Sequence, residues 1–213
     1  MNSGLRLHTI VSAPFDENSY VIGSPDRDEV IVVDPGFQPE LILEYLNDGN
    51  LSPVAILNTH GHVDHIAGNT AMKQAFRGLP IIIGHGDAAM LTDADLNLSG
   101  PYGLPIISPA ADQLLHDGDA IELAGLRFEV LEIPGHSPGH IVLVWRGRPT
   151  VVIGGDVLFR GSIGRTDFPG GSYDQLKSGI HAKLWPLPDD TVVYPGHGPT
   201  TTIGHEKRTN PFL

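Results

Sequence analysis

The segment His60-Gly61-His62-Val63-Asp64-His65 places three histidines and one aspartate within six positions. An apolar stretch, Ile56-Leu57, runs into it, and a helix-compatible stretch with Gly68, Ala71 and Ala75 follows. At the end of a strand the side chains at i and i+2 point the same way, so His60 and His62 can chelate one cation. The chain must then turn into the helix, which swings Asp64 and His65 toward a second position, and the small Gly61 permits the tight turn. One ion cannot readily use all four side chains, so the spacing argues for two adjacent metal sites. A lone histidine is more often a surface or packed polar residue than a ligand. Four metal-type side chains in so short a run reverse that preference.

Three further segments offer ligands in the same way. Pro134-Gly135-His136 follows a strand ending at Glu132, Gly154-Gly155-Asp156 follows Val151–Ile153, and Pro195-Gly196-His197 follows Val192–Tyr194. Each candidate sits where an apolar strand gives way to a loop, which is where a rigid scaffold presents functional groups. With two carboxylate oxygens, Asp156 is the natural bridge between two cations. His140 reads as a supporting or packed residue beside the ligands. His8, His85, His116, His181 and His205 have no partner motif and read as ordinary polar contacts.

Composition narrows the chemistry. The chain has eleven histidines and no cysteine, which removes disulfides, thiolate zinc sites, iron–sulfur clusters and cysteine nucleophiles. Its net charge of −12 argues against tracking a nucleic-acid backbone. Met1–Arg6 holds no apolar leader core and no run is long enough to span a bilayer, so a cytoplasmic protein without membrane contact is expected.

The elements that must carry these loops are short and β-rich. Leu5–Val11, Tyr20–Ile22, Val30–Val33, Val54–Leu57, Pro80–Ile83, Leu126–Glu132, Ile141–Trp145 and Val151–Ile153 read as strands bounded by Gly, Pro, Asn or Asp. Hairpins are expected between Leu114–Leu123 and Leu126–Glu132, and between Ile141–Trp145 and Thr150–Ile153. Helical periodicity appears at Pro39–Asn47, Ile66–Phe76 and Tyr173–Leu184, where Leu176, Ile180 and Leu184 form one stripe. Residues 93–112 form a long irregular stretch broken by Gly100-Pro101, Pro105 and Pro109; loops of that length are usually functional or mobile. No linker, charge block or repeat divides residues 1–213, so one α/β domain is expected, with two mixed sheets and helices outside them.

The motif His60-x-His62-x-Asp64-His65, with His136, Gly155-Asp156 and Pro195-Gly196-His197, resembles the metallo-β-lactamase fold superfamily. Val33-Asp34-Pro35-Gly36 matches as well. Within it, the run from Gly155 to Pro169 and the ending Asn210-Pro211-Phe212-Leu213 resemble the short bacterial type II glyoxalases, which are hydroxyacylglutathione hydrolase-like proteins. The resemblance implies a four-layer αβ/βα sandwich without the extra C-terminal helical domain of the longer glyoxalases. It implies His60, His62 and His136 on one metal, Asp64, His65 and His197 on the other, and Asp156 bridging. Two divalent ions are expected, zinc first, with iron or manganese suiting the same ligands.

The expected reaction is hydrolysis of a glutathione-type thioester such as S-lactoylglutathione, by a hydroxide shared between the two metals, with Asp64 orienting it. Glutathione conjugates are anionic and the chain is acidic, so local cations must receive them. Arg160 and Arg165, near Asp156, and Lys207 and Arg208, in the tail after His197, are the candidates. The alternative is a mononuclear iron glutathione-persulfide dioxygenase. Such enzymes carry a similar Arg-Gly-x-Gly-Arg-Thr-Asp-Phe stretch, but Ser162-Ile163 makes it one residue longer here. Beyond the shared ligands, nothing in the motifs marks β-lactam hydrolysis.

Overall fold

The computed structural model describes residues 4–213; Met1–Ser3, part of the Met1–Arg6 stretch read above, lie outside it. The first sheet contains β1 (Arg6–Ser12), β2 (Glu17–Gly23), β3 (Glu29–Val33), β4 (Ser52–Asn58), β5 (Ile81–Gly84) and β6 (Gln113–Leu115), in sequence order. Then come β7 (Ala120–Leu123), β8 (Leu126–Glu132), β9 (Ile141–Trp145) and β10 (Val151–Gly155), a small hairpin β11 (Leu158–Phe159) with β12 (Ser162–Ile163), and finally β13 (Val192–Pro195) and β14 (Thr201–Thr202). The second sheet has the order β14-β13-β10-β9-β8-β7.

Why β3 reads as an unbroken apolar run is plain from its burial. Ile31 and Val33 face the second sheet, packing in one core with Leu57, Phe128, Val130, Leu143 and Ile153. Val30 and Val32 face outward into a second core with Ile42 and Leu46 of helix α1 (Pro39–Asp48) and with Ile66 and Met72. A strand covered on both faces must be apolar at every position. In the second sheet β9 does the same. Ile141 and Leu143 point between the sheets, while Val142 and Val144 meet Leu176, Ile180 and Leu184. Helix, sheet, sheet, helix is therefore the layering, and the expected four-layer sandwich is what the chain forms.

Several boundaries differ from the periodicity reading. The stretch Leu114–Leu123 splits: β6 pairs in parallel with β5 in the first sheet, and only β7 forms the hairpin with β8. Asp117-Gly118-Asp119 makes the break, with Gly118 at φ +83°. Ile66–Phe76 becomes two short helices, α2 (Val63–Ile66) and α3 (Asn69–Ala75). Helix α4 (Tyr173–Gly179) continues as a wider π-helical turn to Leu184, keeping the expected stripe wholly buried. The last helix, α5 (Ile203–Thr209), has no apolar stripe long enough to be read from sequence.

Strand direction positions the site. β3, β4 and β5 are parallel, and so are β10 and β13. β9 is antiparallel to both β8 and β10, so β8 runs with β10. The carboxyl ends of β3, β4, β8, β10 and β13 thus share one edge of the sandwich. The two sheets are joined there by Ile141 N–H to Thr59 O at 2.9 Å and Asn18 N–H to Gly196 O at 2.7 Å.

Candidate metal centre

At that edge His60, His62 and His136 bring ligand atoms within 4.8 Å of one another, and Asp64, His65 and His197 do the same. His62 Nδ1 lies 2.9 Å from His136 Nε2, and Asp64 Oδ2 lies 3.2 Å from His197 Nε2. Asp156 touches both groups. Its Oδ2 is 3.5 Å from His136 Nε2 and 3.7 Å from His197 Nε2, while its Oδ1 is 3.5 Å from His65 Nε2. All seven expected ligands are therefore placed together.

The outer nitrogens of the histidines explain why the inner ones converge. His65 Nδ1 is 3.0 Å from Asp34 Oδ2, His136 Nδ1 is 2.8 Å from Arg165 O, and His197 Nδ1 is 3.1 Å from Phe15 O. His60 Nδ1 is 3.1 Å from Thr59 Oγ1, whose own hydroxyl donates to Asp34 Oδ2 at 2.6 Å. Each acceptor requires a proton on Nδ1 and turns Nε2 inward. His60 Nε2, His65 Nε2 and Asp156 Oδ1 are buried without any hydrogen-bond partner. Buried polar atoms left unpaired in this way are costly, and a set of imidazole nitrogens and carboxylate oxygens converging on one point fits divalent metal ions.

The electrostatics agree. Burial first, then neighbouring imidazoles, hold His60 and His62 well below the ordinary imidazole value, so they stay neutral, the form in which an imidazole can bind a cation. Burial opposes charge on His65 as well, but Asp64, Asp156 and Asp34 outweigh it and push its value up. Burial would raise Asp64, yet His65 and His197 overcome it and keep the carboxyl ionised far below its usual range.

Two residues to which the motif reading gave no role hold the ligand loops. Asp34, at the end of β3 with φ +48°, accepts from Thr59 N at 2.7 Å besides orienting His65 and, through Thr59, His60. A third grouping of Asp34 with His60 and His65 is also within ligand distance; its hydrogen bonds mark Asp34 as the positioning partner. Asp87, wholly buried after β5, accepts from Gly61 N at 3.1 Å, Ser137 Oγ at 2.6 Å and Gly139 N at 2.6 Å. It thereby ties the His60–His65 loop to the His136 loop. The signal for both was available: a carboxylate just past a buried strand. Gly61 is needed for space rather than for its turn, because a Cβ there would collide with Met90.

The expected cations divide. Arg165 lines the cavity above the ligands, with its guanidinium on Asp167 at 2.8 Å and 4.0 Å over the Phe168 ring. Arg160 sits at the exposed tip of the β11–β12 hairpin and does not line that cavity. Lys207 is paired with Asp189 at 2.7 Å, with Arg208 3.7 Å from the same carboxylate, and neither lines it either. The tail contributes instead through Glu206, which accepts from Gly161 N at 2.9 Å, and Asn210, which donates to Ser162 O at 3.0 Å. These bonds brace the hairpin, because α5 turns its charged face away from the site and its buried polar face toward it.

Residues 13–197 match the metallo-beta-lactamase superfamily, and the chain belongs to that superfamily. It is 38% identical over 215 residues to the hydroxyacylglutathione hydrolase GloC of Haemophilus influenzae, an alignment covering 98% of each chain. Among solved structures it is similar to the BLEG-1 B3 metallo-beta-lactamase, with a TM-score of 0.93, 39% identity, and 98% of this chain and 99% of that one covered. TTHA1623 in a di-iron-bound form follows at TM-score 0.86 and 38% identity, covering 97% and 100%. ETHE1 from Myxococcus xanthus is more distant, at TM-score 0.79 and 27% identity, covering 97% and 83%. No helix among the described residues is long and apolar enough to cross a membrane.

Proposed function

We propose that this chain is a binuclear metallohydrolase of small-molecule thioesters, of the S-lactoylglutathione type. The observation that carries the proposal is Asp156, whose two oxygens reach His136 on one side and His65 and His197 on the other. In this reading His60, His62 and His136 would hold one divalent ion and Asp64, His65 and His197 the other, with the Asp156 carboxylate available to both. Bound there, two divalent cations supply Lewis acidity, polarising a carbonyl and making water ionisable near neutral pH.

The chain's own residues do the rest. Asp64, ionised and partly open to the cavity, accepts a hydrogen bond from the attacking water and fixes its direction. Phe159 and Phe168 stand beside His197 and His62 and keep bulk water from the ligands. A thiolate leaves readily, so no strong general acid is required. The name and near-full-length alignment of GloC support a glutathione thioester as substrate.

A second reading, iron-dependent oxidation of glutathione persulfide, is favoured by the Arg160–Phe168 stretch. In the structure Ser162-Ile163, which makes that stretch one residue longer, forms β12 and closes a hairpin. One set of assays separates the readings: S-lactoylglutathione hydrolysis, oxygen uptake on glutathione persulfide, and hydrolysis of a β-lactam. Thioester hydrolysis without oxygen uptake is the expected result. Oxygen uptake without thioesterase activity overturns the proposal.

A further inference from the structure

Above the ligands lies a cavity of about 390 Å³ whose walls, apart from the ligands, are largely apolar: Phe15, Leu98, Phe159, Ile163 and Phe168. The cation on its rim, Arg165, is already engaged by Asp167 and by the face of Phe168. A wall of this kind gives little to a charged group and much to a hydrocarbon one.

Leu98 is the informative residue, because its backbone is in the left-handed region at φ +71°. Leucine avoids that region, and glycine or asparagine would occupy it with less strain. Its neighbours hold it there. Asn97 is wholly buried; its carbonyl accepts from Val63 N at 3.0 Å and its amide donates to Ile106 O at 2.9 Å. Ser99 N donates to Asn97 Oδ1 at 3.0 Å, and Ser99 Oγ accepts from Ile106 N at 3.0 Å. The 93–112 stretch is thus a tied loop, and the strained residue in it lines the cavity beside His62 and Asp64. Backbone strain held by buried hydrogen bonds at a pocket wall points to a functional side chain.

We propose that this wall binds the acyl group of the substrate, so that the preferred thioesters carry an apolar acyl chain, with Leu98 as the residue that selects it. The proposal rests on the hydrolase reading above. The experiment measures kcat/KM for glutathione thioesters with acetyl, butyryl, hexanoyl and octanoyl groups, on the metal-loaded wild type and on Leu98→Gly. The wild type is expected to gain about threefold to fourfold per methylene until the cavity is filled. Leu98→Gly suits the left-handed backbone and is expected to keep its melting temperature within a few degrees, while its octanoyl-to-acetyl ratio falls at least tenfold. Because the readout is a ratio, a general loss of activity does not imitate it. A wild type that hydrolyses the series at one flat rate, or a variant that keeps the wild-type ratio, overturns the inference and leaves the thioesterase reading standing. A wild type that hydrolyses none of them overturns both.

Discussion

The backbone N–H of Asp156 donates to His140 Nε2 at 2.9 Å, inside a fully buried contact where the His140 ring also stacks on His60 at 4.7 Å. Burial, followed by the charges of nearby imidazoles, keeps His140 well below the ordinary value, so it stays neutral and able to accept. His140 is therefore a positioning residue, and Asp156 is the group it positions. Asp156→Ala is expected to abolish most metal binding and turnover in a protein that still folds. His140→Ala is expected to lose about 10- to 100-fold in activity. Equal losses from the two, measured as kcat/KM with metal content, contradict this division of roles.

Asp87 should matter to both stability and metal retention. Asp87→Ala strands the Gly61 and Gly139 amides and the Ser137 hydroxyl in a buried site. Each unsatisfied group costs about 1–3 kcal/mol, so a loss of roughly 3 kcal/mol or more is expected in denaturant unfolding. Weaker metal binding should accompany it, because the His60 and His136 loops are no longer tied. Unfolding unchanged from wild type is the contrary result.

Proton release should accompany metal binding. His65 is driven up by Asp64, Asp156 and Asp34 against its burial, and His197 by Asp64 and Asp156 against its own. Both then hold protons more tightly in the metal-free protein than a free imidazole does, and cations must displace them. Calorimetry at pH 7 in buffers of different ionisation enthalpy should show net release, and an affinity that falls as pH drops through about 6.

Metal-free stability should peak near neutral pH. His60, His62 and His140, held low in the fold, give stability that is lost as pH falls below the unfolded value of about 6.5. His65 and His197, held high, give stability that is lost as pH rises through their folded values. Thermal melts of metal-stripped protein across pH 5–9 check this; a monotonic rise across the range contradicts it.

Neutralising the tail should leave substrate binding alone. Lys207→Ala removes an exposed pair with Asp189 and is expected to leave KM within about twofold. Arg165→Ala removes a cavity-lining cation. If Arg165 meets an anionic substrate, its removal should raise KM about tenfold or more, the scale of a lost charge-assisted contact. Separate KM measurements on glutathione thioesters distinguish the two positions.

What was legible in the sequence was local. His60 to His65, His136, Asp156 and His197 each follow an apolar strand within a few residues, so type and spacing mark them without knowledge of the fold. The apolar runs at β3 and β9 likewise mark strands buried on both faces. The pairing of those loops was not legible, because Asp34 reaches Thr59 and His65 only once β3 and β4 have paired, and Asp87 reaches Gly139 only after the two sheets have stacked. Leu114–Leu123 misled because its residues serve two different sheets. The tail misled because its visible charges pair outward, while Glu206 and Asn210, unremarkable by type, are the buried ones.

The central claim is that Asp156 joins two metal sites in one thioesterase. The direct measurement is metal content per chain, by elemental analysis of protein purified with metal supplied, alongside S-lactoylglutathione hydrolysis of the same sample. Two ions per chain, with activity rising as the second is loaded, is the predicted result. A protein fully active with a single ion contradicts the account.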